Sequence, residues 1–286
     1  MVLERIYVVR HGFRATWSVD HRTGVYTGLP SPTGIAGDPA LTSYGVDQAH
    51  QLGRHLATLE PKVDRVYSSP FYRCLQTMQP FMQQQQQQCG GSVDKKMLML
   101  PEHGIREWFG AAPFDHPEPA EPGTLKAMFP SLDERYLSAV RPSRRGETLD
   151  QLQERVAAAL KAIIMQCDAD GARAVVLCSH AAVIILMGRI LTGRIPPSVD
   201  ADDFHAFTCG LSVYSRADPG NATVIHDNRD GRQEVAAPNT IGGWDCLVNS
   251  DCSFLTGGAE RGWRFSGDES FPDTGTLSQS EPKHRL

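Results

Sequence analysis

What the chain lacks narrows its class before any motif is read. No stretch of the 286 residues reaches the roughly 18 apolar residues of a membrane span. The most apolar run, Val175 to Leu191, is broken by His180 and Arg189. There is no C-x-x-C pair, and the seven cysteines are odd in number and scattered, so they read as reduced thiols rather than a disulfide frame. There is no basic excess: Lys and Arg number 28 against 33 Asp and Glu, for a net charge of -5. Direct nucleic-acid binding is therefore not expected, and any anion site must be a local cluster. The charges at Glu4 and Arg5 come too early for a signal-peptide core. Internal repeats are missing, and so is metal-ligand spacing such as H-E-x-x-H, so neither a metal nor a cofactor is expected. With 41% hydrophobic and 21% charged residues, the composition is ordinary for a globular protein. A soluble intracellular chain is expected, cytoplasmic and/or nuclear, with no membrane partner.

What is present reads as strand and helix in alternation. Ile6-Tyr-Val-Val9 is a short buried strand that delivers Arg10-His11-Gly12 at its C-terminal end. Residues 16 to 40, rich in Gly, Pro, Ser and Thr, read as a long loop. A helix from about Ser43 carries Val46, Ala49, Leu52 and Leu56 on one stripe. Arg65 to Ser68 reads as a strand, and a helix from about Tyr72 runs to the glutamine tract Gln83–Gln88. That tract reads as a solvated helix end spilling into a flexible loop, or else as an interaction element. Lys96 to Leu100 is a candidate strand. Residues 110 to 146, with six prolines, read as an irregular insertion holding one or two helical turns. Thr148 to about Cys167 is the clearest helix. Ala174 to Cys178 is a second buried strand delivering Ser179-His180, with a helix from Ala181 to about Leu191. Leu211 to Ser215 and Ala222 to His226 are candidate strands. This order implies an α/β fold, a mostly parallel central sheet with helices on both faces. Residues 1 to 270 are expected to form a single domain, and 271 to 286 a flexible tail.

Two of the strands end in histidine, and in open α/β sheets ligands sit outside the carboxyl ends of the strands. Placing these ends side by side would bring Arg10, His11, Arg73 and His180 into one cationic pocket. Its natural occupant is a small dianion, most simply a phosphoryl group, whose oxygens match arginine forks. A positive field lowers the pKa of a histidine and keeps one ring nitrogen nucleophilic, so attack on phosphorus would give a phosphohistidine. The leaving oxygen then needs an acid. Glu107, in Gly104-Ile-Arg-Glu-Trp108, is the best placed, with Trp108 and Phe109 expected to raise its pKa by desolvation. Glu102 is its competitor, and Glu118 and Glu121 lie on the insertion.

The residues resemble the histidine phosphatases, the phosphoglycerate mutase-like superfamily, in order over roughly residues 4 to 216. The motifs are Val9-Arg-His-Gly12, Leu41-Thr-Ser-Tyr-Gly45, Ser68 to Thr77, Gly104 to Trp108, Gly146-Glu-Thr148 and Cys178-Ser-His-Ala181. The resemblance implies that fold and a metal-independent phosphomonoesterase. It implies that Arg10 and Arg73 bind phosphate, that His11 is the nucleophile, and that His180 is a second histidine on the phosphoryl oxygens. Glu107 would be the proton donor. Arg14 resembles an extra arginine of a branch containing protein tyrosine phosphatases. A narrower resemblance is to fungal proteins related to the 55 kDa tau subunit of the RNA polymerase III assembly factor. It rests on His11-Gly-Phe-Arg14, the Leu29 to Gly34 loop, Ser69 to Cys74 and the Trp244 to Phe265 stretch.

Bland readings stand beside these. An arginine on a loop, as Arg14 is, pairs with a carboxylate as easily as with phosphate. Trp17 and Trp108 rim a pocket or simply pack. His103, His116, His205 and His226 read as ordinary solvated or core groups. Cys167 to Arg173 has the C-x5-R spacing of cysteine-dependent phosphatases, but Asp168 and Asp170 would repel both thiolate and phosphate. Two functions follow: a phosphatase acting on phosphotyrosine or a small phosphorylated metabolite, or a scaffold subunit with a partner in a transcription assembly.

Overall fold

Strands rich in β-branched residues with no polar face must be covered on both sides, and helices do the covering here. The computed structural model describes residues 2–88, 97–217 and 240–265. Its six-stranded sheet consists of β1 (Arg5–Arg10), β4 (Arg65–Ser68), β5 (Met99–Pro101), β6 (Ala174–Ser179), β7 (Leu211–Arg216) and β8 (Trp244–Asp251), in the order β5-β4-β6-β1-β7-β8. The first four strands of that order run parallel; β7 is antiparallel to β1, and β8 to β7. Alternate residues split between two cores. Ile6, Val8, Tyr67, Val175 and Leu177 join α4 (Leu149–Asp170) and α5 (Ala181–Thr192) on one face. Tyr7, Val9, Val66, Val176 and Cys178 join α1 (Ser43–Leu56) and α2 (Tyr72–Gln88) on the other. Each such aliphatic side chain, once buried, contributes roughly 1.5–3 kcal/mol.

The helices start where local chemistry lets them. Thr42 caps α1 by accepting from the Gly45 N–H. Thr148 and Gln151 form a reciprocal capping box on α4, and Gly171, at φ 72°, ends it in the left-handed region. α4 runs to Asp170, three residues past the expected end. α2 extends through Gln88, and Gln86 Nε2 donates to Ser131 Oγ at 2.6 Å. The Pro-rich insertion is irregular apart from α3 (Pro122–Met128).

Three expectations need correction. Residues 16 to 40 are not all loop: β2 (Trp17–Asp20) and β3 (Val25–Gly28) form an antiparallel hairpin. Its turn is closed by the Thr23 and Gly24 N–H groups on the Asp20 carbonyl. β5 begins at Met99 rather than Lys96, which lies outside the described residues. β8 was not expected, since Trp244 to Asp251 has little alternation of its own and is recruited by pairing with β7. The candidate strand Ala222 to His226 and the tail 271 to 286 lie outside the described residues. Among those residues no helix is long and apolar enough to cross a membrane.

Candidate active site

Strand register assembles the site. Arg10 pairs with Ser179 and Ser68 with Cys178, so β1, β6 and β4 end abreast. His11 and His180 follow two of these ends, with ring centroids 5.3 Å apart. Arg73 arrives on the first turn of α2, and Glu107 follows a short 3-10 turn, His103–Ile105, after β5. Arg73 Nη2 donates to Glu107 Oε2 at 3.0 Å, and His180 Nδ1 lies 3.2 Å from the same oxygen. Arg10, His11, Arg73, Glu107 and His180 are all buried. Arg14 is half-buried and lines one cleft with Arg10, His11, Glu107 and Trp108. All six residues singled out from the sequence are thus gathered at the carboxyl edge of the sheet.

The state of His11 follows from one contact. Its Nδ1 lies 2.8 Å from the Gly12 carbonyl oxygen. A carbonyl only accepts, so Nδ1 carries the hydrogen and Nε2 keeps its lone pair. Burial, then the charges of Arg73 and Arg10, push His11 well below its ordinary value, so the ring is neutral at pH 7. The turn that carries it is pinned by Thr77 Oγ1, accepting the Gly12 N–H at 3.0 Å, and by Gln48 Oε1, accepting the Phe13 N–H at 2.9 Å. Gly45 permits this approach, because a Cβ there would collide with the Phe13 carbonyl.

His180 is held the opposite way round. Its Nε2 lies 2.8 Å from Ser69 Oγ and 3.5 Å from Cys74 Sγ. Its buried Nδ1 faces Glu107 Oε2 at 3.2 Å. The buried Nε of Arg73 has no hydrogen-bond partner, and such an orphaned donor points to a ligand that satisfies it. Burial opposes charge on His180, but the Cys74 sulfur and the Glu107 carboxylate outweigh it and raise its pKa.

Glu107 contradicts the expected desolvation shift. Burial does favour its neutral form, but the charge and hydrogen bond of His180, then Arg73 and Arg14, hold the carboxyl well below the usual range. Trp108 lies alongside, with its Nε1 donating to the Glu147 carbonyl at 2.9 Å. The other acids are engaged elsewhere. Glu102 accepts from Tyr136 Oη at 2.6 Å and the Gly104 N–H at 2.6 Å. Glu118 takes both Arg106 Nη groups, and Glu121 is the N-cap residue of α3. Cys167 is buried at the end of α4 with its thiol pushed up to about 11 by burial, which suits no thiolate chemistry. Trp17 is buried, packing with Phe71 and Phe109. His103, His116 and His205 do not line the cleft, and His226 lies outside the described residues.

Two supports were missed in the sequence. Glu147 pairs with Arg155 Nη2 at 2.8 Å, and Arg155 Nη1 donates to the Gly104 and Arg106 carbonyls at 3.0 Å each, fixing the segment that carries Glu107. Asp38, fully buried in the Gly- and Pro-rich segment, accepts the Tyr72 N–H at 2.8 Å and lies 3.5 Å from Arg73 Nη1. Arg73 is thus held between Asp38 and Glu107. Burial pushes the Asp38 carboxyl from 3.8 up to about 6, against the pull of Arg73 and the Tyr72 N–H. Between those values the native state binds a proton that the unfolded chain has released. This contribution to stability is full below pH 3.8 and lost as pH rises through about 6. Asp38→Asn has no such loss. The stability of the wild type relative to this variant should therefore fall by about 2–3 kcal/mol between pH 4 and 7. Denaturant melts of both proteins across that range check this, and a constant difference would return Asp38 to an ordinary pKa.

Among the described residues, His11, Glu107 and His180 also offer ligand atoms within 4.8 Å of one another, a grouping that no sequence spacing revealed. The guanidinium groups of Arg10 and Arg73 at the same place favour an anion over a cation.

The fold and site define an α/β protein that can hold a small anion at the carboxyl edge of a parallel sheet. The chain belongs to the histidine phosphatase superfamily (branch 1), whose sequence profile matches residues 6–228. It is 30% identical over 278 residues to the transcription factor tau 55 kDa subunit of Saccharomyces cerevisiae, covering 93% of this chain and 59% of that protein. It is 27% identical over 220 residues to the ecdysteroid-phosphate phosphatase of Drosophila melanogaster, covering 68% of this chain and 28% of that protein. The chain therefore spans less than two thirds of the length of either relative. Its fold is similar to the crystal structure of the ecdysone phosphate phosphatase from Bombix mori in complex with tungstate, with a TM-score of 0.55 at 23% identity, covering 74% of this chain and 88% of that one.

Proposed function

We propose that this protein is a phosphomonoesterase that works through a phosphohistidine on His11. The observation that carries the reading is the contact of His11 Nδ1 with the Gly12 carbonyl, which leaves a neutral ring with its Nε2 lone pair beside Arg10 and Arg73. In the first step Nε2 attacks phosphorus and the ester P–O bond breaks. Arg10, Arg73, Arg14 and His180 stabilise charge on the phosphoryl oxygens. The departing alkoxide takes a proton from Glu107. In the second step the Glu107 carboxylate takes a proton from water, the hydroxide attacks phosphorus, and the P–N bond breaks to return His11. Protein groups supply all the charge compensation in this sequence. The substrate is phosphotyrosine or a small phosphorylated metabolite.

A second reading has its own support. The yeast relative is a transcription factor subunit, which favours a partner in a transcription assembly and a nuclear location. The two readings separate on purified protein tested against an aryl phosphate, a phosphotyrosine peptide, sugar phosphates and 3-phosphoglycerate. Hydrolysis of at least the aryl phosphate is expected. A protein that turns over none of them, and that co-purifies with transcription factor subunits from cell extract, would reverse the preference.

A further inference from the structure

Two buried cysteines meet beside His180, and the proposed reaction uses neither. Cys74 follows Arg73 on the first turn of α2, and Cys178 precedes Ser179 at the end of β6. Both are fully buried. Their side chains cross: Cys178 Sγ lies 3.6 Å from the Cys74 carbonyl oxygen, and Cys74 Sγ lies 3.7 Å from the Ser179 carbonyl oxygen. The Ser69 N–H donates to the Cys178 carbonyl at 2.9 Å and ties the two segments together. The two thiols also hydrogen-bond to each other. On its other side Cys74 Sγ lies 3.5 Å from His180 Nε2.

The two sulfurs are not equivalent. Burial opposes ionisation of both. At Cys74 the hydrogen bond from Cys178 and the charge of His180, then that of Arg73, outweigh burial and hold the thiol below its ordinary value. At Cys178 burial and then the Cys74 sulfur push the thiol up. Burial pushes Cys209 and Cys252 up as well. A sulfur poised as thiolate and touching a second thiol is the arrangement in which one cysteine attacks an oxidant and its neighbour resolves the product.

We propose that Cys74 and Cys178 form a reversible disulfide on exposure to a hydroperoxide, and that this bond weakens the anion site by drawing Cys74 away from His180. The Cys74 thiolate attacks one peroxide oxygen, the O–O bond breaks, and the departing hydroxide takes a proton from His180. The Cys178 sulfur then attacks the sulfur of the Cys74 sulfenic acid. The S–S bond forms, the S–O bond breaks, and the hydroxide leaves as water with the Cys178 proton. Two thiols are oxidised and one hydrogen peroxide is reduced to water. Because both sulfurs are buried, the reaction waits on local opening and is slow. His180 then loses the sulfur that favours its charge, while Ser69 Oγ stays in reach of its Nε2.

The effect on the site rests on His180 contacting the bound anion. It is tested on the full chain, reduced and then treated with hydrogen peroxide. Peptides linked through Cys74 and Cys178 should appear in the digest. Tungstate affinity by calorimetry should fall about tenfold or more, and dithiothreitol should restore it. Cys178→Ser keeps a donor for the Cys74 carbonyl and should bind tungstate like the wild type before treatment. After treatment its Cys74 has no resolving thiol and passes to sulfinic acid, so dithiothreitol should no longer restore affinity. Cys167→Ser, at the end of α4, should behave as the wild type throughout. A linkage between other cysteines, or a Cys74–Cys178 linkage that leaves tungstate affinity unchanged, overturns the inference and leaves the phosphatase reading standing. A protein that loses tungstate with this disulfide but hydrolyses no ester when reduced supports the inference and overturns the phosphatase reading.

Discussion

On the proposed mechanism, His11→Ala should abolish phosphomonoester turnover, with a loss on the order of 10⁴–10⁶ in kcat. The expected size follows from the role. Arginines that bind phosphate lower the barrier, but without a nucleophile the phosphoryl group has no covalent stop between ester and water. The proposed intermediate is a phosphoramidate, stable in alkali and labile in acid, so an alkaline quench after mixing with labelled substrate should trap it on the wild type alone. The substitution is gentle on the fold. The ring is buried but neutral, and its Nδ1 hydrogen bond goes to the adjacent Gly12 carbonyl. A melting temperature near that of the wild type is the control. Burial and the neighbouring arginines hold the His11 pKa well below 6.5, so the rate of phosphoenzyme formation should show no acidic limb from His11 between pH 6 and 8. Label retained in His11→Ala, or found on Cys167, would end the phosphohistidine reading.

Much of this site was legible because its parts sit at strand ends. Apolar runs such as Ile6 to Val9 and Ala174 to Cys178 mark buried strands, and a polar residue directly after such a run stands at the sheet edge. The apolar face of Leu149, Leu152, Val156, Leu160, Ile163 and Ile164 made α4 equally plain. Pairing was not legible. That β6 lies between β4 and β1 depends on contacts across more than 100 residues, and only this register puts His180 beside His11.

The same limit explains the error at Glu107. Its sequence neighbours Trp108 and Phe109 suggested a raised pKa, whereas the charges that decide it come from Arg73 and His180, remote in sequence. Asp38 was hidden in a segment read as loop, because its partners lie on α2. The hairpin of β2 and β3 was hidden by the Gly and Pro content around it, although Trp17, Val19 and Tyr26 do pack together with the Phe71 and Phe109 cluster.

Glu107→Gln should separate substrates by their leaving groups. A general acid contributes roughly 10²- to 10⁴-fold where the leaving oxygen is strongly basic. An alkyl or sugar phosphate leaves as an alkoxide and should lose that factor in the mutant. Nitrophenyl phosphate leaves as a stable anion and should lose far less in the phosphorylation step. The low pKa of Glu107 adds a condition: in the free protein the carboxyl is ionised and has no proton to give. A phosphate dianion arriving among Arg10, Arg73 and His180 cancels the field that holds the pKa down, so binding should draw a proton onto Glu107. Calorimetry of tungstate binding in buffers of different ionisation enthalpy should therefore register proton uptake of about one in the wild type and markedly less in Glu107→Gln. In the proposed second step the same carboxylate serves as the base for water. The mutant should form phosphohistidine from nitrophenyl phosphate in a burst and then stall. If Glu107 only pairs with Arg73, both substrates would fall by the same factor in both steps, with no difference in proton uptake.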